Sequence, residues 1–184
     1  MKLPRIALTG GIACGKSEVA RILNRLGIET IDADDVVHAL LPDPEERRRI
    51  AAEVFADPAK RKALEAKLHP LVRERIDAFL AERTQVGRLA IAVIPLLFET
   101  RWDSDYDIIA CVASARETQI ERMTARRGYP RAEAEARLGA QLPVAEKADK
   151  SHYVINNEGS VEDLEKATER FVIWLKNLTC LQES

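Results

Sequence analysis

The apolar positions of this chain alternate between short continuous runs and stretches with helical spacing. Five short runs are predicted strands, and several of them are continuously apolar, as expected for strands buried on both faces of a parallel sheet. They are residues 6–8, 28–31, 89–95, 106–113 and 153–155. Between them, apolar residues recur at helical intervals, for example at Val19, Ile22 and Leu26. The alternation predicts an α/β fold, a parallel sheet with helices on both faces.

A long helical stretch separates the second predicted strand from the third. After a short helix, residues 45–83 are heavily charged and contain no strand-like run, and Pro70 is expected to divide them into two or three helices. We therefore divide the chain into a core, residues 1–40 and 88–184, and a helical insert, residues 41–87, at the edge of the sheet. Further helices are predicted at 117–126, 132–142 and 161–178.

Residues 10–17 fit G-x-x-x-x-G-K-[ST], the phosphate-binding loop, and join a predicted strand to a predicted helix as that motif requires. Its glycines let backbone amides approach phosphate oxygens, and the helix N-terminus adds unpaired N–H groups. Lys16 is expected to reach the terminal phosphates, and the Ser17 hydroxyl to ligate Mg²⁺. Cys14 fits a small space-filling residue better than a reactive thiol. The predicted nucleotide-binding residues are Gly11, Ile12, Ala13, Cys14, Gly15, Lys16, Ser17 and Glu18.

Three aspartates, Asp32, Asp34 and Asp35, follow the second predicted strand. Ligands of open α/β sheets bind beyond the carboxyl ends of strands, so these side chains are expected near the phosphate loop. A carboxylate there can accept the proton of an attacking hydroxyl or help to hold Mg²⁺. The same aspartates also suit the N-terminus of the next helix, where Asp35 is the simplest cap. The residues alone leave both interpretations open.

Five arginines surround a flexible Gly-Tyr-Pro segment at 128–130. They are Arg122, Arg126, Arg127, Arg131 and Arg137. Most of them fit a solvated helix surface with i, i+4 pairs such as Glu133 with Arg137. Phosphoryl transfer, however, needs cations that stabilise the charge on the transferred phosphoryl group, and it needs closure of the site to exclude water. A hinged, arginine-bearing helix pair after a phosphate loop is therefore also typical of a lid, predicted at about 122–142.

Composition narrows the classes of function. The chain is 46% hydrophobic and 32% charged, as is usual for globular proteins, and its net charge of −2 gives no general attraction to nucleic acid or to an anionic membrane. No apolar run approaches membrane-spanning length, and the three scattered cysteines fit neither a disulfide framework nor a metal site. We expect a cytoplasmic monomer or weak homo-oligomer without nucleic-acid or membrane partners.

Several segments, in this order, resemble the dephospho-coenzyme A kinase family. They are Leu8-Thr-Gly-Gly-Ile12, Ile31-Asp-Ala-Asp34, Leu68-His-Pro-Leu71, Ile94-Pro-Leu-Leu-Phe-Glu99 and Tyr153-Val-Ile-Asn-Asn157. The resemblance implies ATP-dependent phosphorylation of the ribose 3′-hydroxyl of dephospho-coenzyme A with Mg²⁺, the last step of coenzyme A synthesis. It also implies a P-loop kinase fold with a lid, in which the helical insert binds the acceptor.

The resemblance further assigns roles to individual residues. It implies that Asp34 is the general base, with Lys16 and Arg137 as the other catalytic residues. It implies acceptor contacts at Asp32, Asp34, His69, Arg73, Leu97, Phe98 and Glu99, and places Asn157 near the adenine. From the residues alone, a histidine before a proline is more typical of a structural turn. The stretch from Leu41 to Val54 is shorter than the family pattern.

Two other functions compete with this one. A kinase for another small hydroxyl-bearing acceptor would share the loop, the lid and the sheet. A nucleotide-dependent switch or binding module would share the loop, but the Asn-Lys-x-Asp segment that a guanine-binding switch needs does not occur in the sequence.

Overall fold

The computed structural model describes the backbone of residues 3–181 and, within that range, all side chains except those at 46, 51, 52, 54–56, 58, 61, 180 and 181. In this part of the chain, five strands form one parallel sheet in the order β2-β3-β1-β4-β5. The strands are β1 (Ile6–Gly10), β2 (Glu29–Asp32), β3 (Ala90–Val93), β4 (Ile108–Ala113) and β5 (Tyr153–Asn156). The helices are α1 (Lys16–Arg25), α2 (Ala33–Leu40), α3 (Pro44–Ala56), α4 (Pro58–Gln85), α5 (Arg116–Arg127), α6 (Arg131–Gly139), α7 (Val144–Asp149) and α8 (Val161–Leu181).

Successive side chains of each central strand enter different apolar layers on the two faces of the sheet. Ile6 and Leu8 pack in the layer formed with α1 and α8, whereas Ala7 packs in the layer formed with α2 and α4. Both layers are buried, with Phe171 of α8 in the first and Ile76 of α4 in the second. Because both faces are covered, the central strands β1, β3 and β4 are almost continuously apolar. The predicted parallel sheet with helices on both faces is confirmed.

The strand order places the phosphate loop beside the carboxylates. β1 is central, with β3 on one side and β4 on the other, and the chain reaches β2 at the edge before it returns to β3. Such a reversal opens a crevice at the carboxyl ends of the strands. Gly10 is in register with Val112 and Asp32 with Val93, so all four residues lie at that end of the sheet.

The helical insert contains two helices, and their junction differs from the expectation. The prediction that Pro70 interrupts the helical stretch was wrong, because Pro70 lies inside the 28-residue helix α4. The helices instead meet at Asp57, whose carboxylate accepts a hydrogen bond from the Ala59 amide at 2.8 Å and so caps α4. An Asp-Pro pair also starts α3, where Asp43 caps the helix.

Packing explains why α4 tolerates its internal proline. A proline removes one helical hydrogen bond and crowds the carbonyl four residues earlier, here that of Ala66. Both Ala66 and Pro70 are exposed, so water can satisfy that carbonyl. Beyond the proline, Val72, Ile76 and Leu80 follow at four-residue spacing and are buried. Their burial holds the second half of α4 in line.

No helix within residues 3–181 combines the length and the apolar character that crossing a membrane requires.

Candidate active site

The backbone of the loop between β1 and α1 requires glycine at two positions. Gly10 and Gly15 have φ angles of +148° and +95°. A Cβ atom at Gly10 would lie 2.3 Å from the carbonyl oxygen of Val112, and one at Gly15 would lie 2.4 Å from Asn157 Nδ2. α1 begins directly after this loop, so its first amides are available to an anion.

The ammonium group of Lys16 folds back over the loop. Lys16 Nζ donates to the carbonyl oxygens of Gly10 at 3.1 Å and Gly11 at 2.9 Å. Burial lowers the pKa of Lys16, and the positive charge of Lys147 also lowers it, against the opposing effect of Cys14. A phosphate bound in the loop would supply the anionic partner that favours the charged form.

Side chains from the end of β5 and from α5 brace the loop. Asn157 is buried, and its Nδ2 donates to the Cys14 carbonyl at 2.8 Å. The carbonyl of Asn157 in turn accepts from Ser114 Oγ at 2.7 Å and from Arg122 Nη2 at 2.8 Å. The resemblance implies a place near the adenine for Asn157; in this structure Asn157 fixes the shape of the phosphate loop.

The two aspartates at the end of β2 have different environments. The Asp32 carboxylate accepts a hydrogen bond from the Asp34 amide at 2.8 Å and caps α2. Burial raises the pKa of Asp32, and the carboxylates of Asp34 and Asp35 raise it further. Asp34 lies in the first turn of α2 and is exposed. Capping by an aspartate is thus confirmed, but the residue that caps is Asp32 rather than Asp35.

One cavity of about 460 Å³ brings most of the predicted catalytic groups together. The phosphate loop contributes Ile12, Ala13, Gly15, Lys16, Ser17 and Glu18. Asp32 and Asp34 line the same cavity, together with the Pro95 residue that follows β3. The α5 arginines Arg122, Arg126 and Arg127 also reach it. A cation at the loop, two carboxylates and three arginines therefore share one space, which suits transfer of an anionic group to a hydroxyl.

Several other predicted residues lie outside the lining of that cavity, among them Glu99, whose carboxylate accepts a hydrogen bond from the Leu142 amide. Arg137 pairs with Glu133 on α6 at 2.8 Å and stacks over the Tyr129 ring. Leu97 is fully buried in the layer between the sheet and α4, so its role in this structure is packing. Phe98 packs partly against the same layer, with Lys150 Nζ 5.8 Å from the centre of its ring.

His69 and Arg73 line a different cavity. This open cavity of about 860 Å³ lies along α4, where the ring of His69 meets Trp102 edge-on at 5.3 Å. Arg73 lies over the Trp102 ring and pairs with Asp105. The structure does not bring His69 and Arg73 into the space that holds Asp34.

Several residues of this region were not identified from the sequence. Gln119 Nε2 donates to the Ile12 carbonyl at 2.8 Å, and Lys147 bonds to the Pro95 carbonyl at 2.9 Å. The sequence offers a weak signal for Gln119, which lies one turn before Arg122 on α5. It offers none for Lys147, because a lysine in a charged stretch is typical of a solvated surface.

Replacing Asn157 with alanine is expected to raise the dissociation constant for ATP about 5- to 150-fold. The reason is that the Cys14 carbonyl loses its donor, and a buried polar group without a partner costs about 1–3 kcal/mol. Titration calorimetry measures the change. Asn156→Ala is the matched control, since Asn156 is the adjacent residue and is exposed. An unchanged ATP affinity in Asn157→Ala would show that the loop keeps its shape without this bond.

Comparison with known proteins agrees with this geometry. A family model for dephospho-CoA kinase matches residues 5–46 and 39–163. The two matched stretches overlap at residues 39–46, around the connection between α2 and α3. The dephospho-CoA kinase of Geobacter sulfurreducens is 40% identical over 193 residues, covering 93% of this chain and 97% of that protein.

Solved structures show the same fold. TT1252 from Thermus thermophilus superimposes with a TM-score of 0.79 at 34% identity, covering 95% of this chain and 99% of that one. The dephospho-CoA kinase of Campylobacter jejuni gives a TM-score of 0.66 at 24% identity, covering 94% and 97%. With the phosphate loop, the paired aspartates and the arginines in one cavity, these similarities lead to one conclusion: the chain belongs to the dephospho-CoA kinase family and has the fold of the P-loop kinases.

Proposed function

We propose that the chain transfers the terminal phosphoryl group of ATP to the ribose 3′-hydroxyl of dephospho-coenzyme A, with Asp34 as the general base. The observation that carries these roles is the shared cavity, in which Lys16, Ser17 and Asp34 line one space. Phosphoryl transfer is mainly a matter of positioning and charge stabilisation, which is what such a set of residues can provide.

Asp34 and Lys16 act at opposite ends of the reaction. The exposed Asp34 carboxylate accepts the proton of the acceptor hydroxyl as the hydroxyl oxygen bonds to the terminal phosphorus. The bond from that phosphorus to the bridging oxygen breaks, and ADP leaves. Lys16 exchanges its carbonyl partners for phosphate oxygens and stabilises the charge that develops on them.

The arginines in and near the lid supply further positive charge for the transferred phosphoryl group. Arg126 and Arg127 line the cavity. We assign Arg137 to the lid, where closure would bring it to the transferred group. Its side chain is 46% exposed and its pair with Glu133 is a surface ion pair, a kind worth about 0–1 kcal/mol, so phosphate charge can displace it.

The donors of the cavity suit Mg²⁺ held largely by the substrate. Within residues 3–181, no group of three or more His, Cys, Asp or Glu side chains is placed to hold a metal ion. Mg²⁺ usually keeps several waters and binds through one or two protein groups and the phosphates. Ser17 and Asp32 line the same cavity and would hold it. When bound, the ion would neutralise charge on the phosphate oxygens.

The acceptor extends beyond its ribose, and the insert is the proposed place for that extension. His69 and Arg73 line the open cavity along α4, and we keep them as acceptor contacts outside the reaction space. Trp102 lines the same cavity and is covered by Arg73 and His69.

A coupled assay of ADP release tests the proposed function. Release is expected to require dephospho-coenzyme A, and mass spectrometry should show a product heavier by one phosphoryl group. The matched control replaces the acceptor with shikimate, since shikimate kinases share the fold at 16% identity. ADP release that is independent of the acceptor, or faster with shikimate, would contradict the proposal.

A further inference from the structure

The Lys147 ammonium is the most deeply buried charge near the site. Its side chain is 0% exposed, although α7 that carries it has only six residues. A buried ammonium is costly unless hydrogen-bond acceptors surround it. Lys147 Nζ lies 2.9 Å from the Pro95 carbonyl oxygen and 2.7 Å from Glu99 Oε1.

Both acceptors belong to the loop that follows β3. The Pro95 carbonyl also accepts from Thr9 Oγ1 of β1 at 3.3 Å, and Pro95 lines the cavity that holds Asp34. Glu99 is exposed when its backbone is included, but its side chain alone is only 22% exposed. Lys147 therefore fixes one wall of the reaction space and a carboxylate just outside it.

Glu99 connects this loop to the end of the predicted lid. Its Oε1 accepts from the backbone amide of Leu142 at 3.0 Å as well as from Lys147. Leu142 follows Gln141, which lines the reaction cavity. The loop after β3, the end of the lid segment and α7 thus meet at one carboxylate and one ammonium.

We infer that Lys147 is a positioning residue that holds the loop of Pro95 and Glu99 and the lid end at Leu142 in the arrangement that transfer requires. This inference rests on the proposed function, because it concerns the same reaction space. Lys147 does not line the cavity and acts through its two acceptors. A misplacement of about 1 Å far from the reacting atoms can cost up to about 10²-fold in rate.

The variant Lys147→Met removes the charge and keeps an unbranched side chain. It is expected to lower kcat about 10-fold, with the KM for ATP changed by less than about 3-fold, because the loop amides and Lys16 remain. Lys176→Met on α8 is the matched control, since Lys176 is exposed. Unchanged turnover in a folded Lys147→Met protein would overturn the inference.

A double variant separates positioning from simple stabilisation. Removing one partner of a buried pair destabilises the fold, whereas removing both charges is often close to neutral. In Lys147→Met/Glu99→Gln, the amide oxygen at 99 can still accept from Leu142. We expect the melting temperature to return towards the unmodified value while kcat stays about 10-fold low. Recovery of both together would assign Lys147 a purely structural role and overturn the inference.

Hydrogen exchange supplies a readout that does not depend on the acceptor. In Lys147→Met, the Leu142 amide should exchange about 10-fold faster than in the unmodified chain, because Glu99 loses the contact that holds it. If the unmodified chain fails to phosphorylate dephospho-coenzyme A, the proposed function fails. The exchange rate still decides whether Lys147 holds the lid end, and an unchanged rate would overturn that assignment.

Discussion

Replacing Lys16 with methionine is expected to lower kcat by about 10²- to 10³-fold, the usual cost of removing one charge-stabilising donor. The fold should survive, because methionine keeps the apolar stem and removes a charge that burial disfavours, as the lowered pKa of Lys16 indicates. The bonds to Gly10 and Gly11 join segments of one loop and do not tie distant elements together. Steady-state release of ADP measures the loss, and thermal melting checks the fold.

Lys176→Met provides the control here as well, since it makes the same chemical change at an exposed position of α8. Turnover in the control should stay close to that of the unmodified chain. A folded Lys16→Met protein with near-normal turnover would mean that this loop does not bind the transferred phosphate.

Replacing Asp34 with asparagine is expected to lower kcat by about 10²- to 10⁴-fold, the range for removal of a general base. The affinity for ATP should change little, because the proposed contact is with the acceptor hydroxyl. Asparagine has the size of aspartate, and the cap of α2 comes from Asp32, so the helix should remain. Single-turnover transfer, with ATP binding measured separately, distinguishes the two effects.

Asp32→Asn is the control that decides between the two aspartates. Asparagine caps helices about as well as aspartate, so α2 should keep its start. Asp32 is also a candidate base, because burial raises its pKa and such shifts occur at catalytic groups. One of its oxygens, however, is occupied by the Asp34 amide. Because Asp32 is also a proposed Mg²⁺ ligand, the two variants are compared at saturating Mg²⁺. A larger loss of kcat in Asp32→Asn than in Asp34→Asn that persists there would exchange the proposed roles.

The sheet could be predicted from the sequence, and parts of the helical layers could not. The central strands β1, β3 and β4 were found because burial on both faces makes each of them an almost continuous apolar run. Pro70 misled the prediction, since a local rule for proline takes no account of the burial of Val72 and Ile76 beyond it. α7 was not predicted, because six residues are too few for a helical period to appear.

The residues of the candidate site could likewise be predicted only in part from the sequence. Lys16 and Ser17 follow from a local motif, and Asp34 follows from the rule that ligands bind beyond the carboxyl ends of strands. The bond between Asn157 and Cys14 joins residues 143 positions apart, and that between Lys147 and Pro95 joins residues 52 apart. Such contacts depend on strand order and loop packing, which local patterns do not specify.

The enclosed position of Cys14 limits how the phosphate loop can be targeted chemically. Its side chain is fully buried, Gln119 Nε2 lies 3.0 Å from its sulfur, and burial raises the pKa of the thiol. An exposed thiolate is the nucleophile that attacks an alkylating reagent, so lack of access and lack of ionisation both protect this residue. An electrophilic inhibitor therefore gains nothing from a cysteine in this loop. Alkylation located at Cys14 by mass spectrometry would instead measure how often the loop opens.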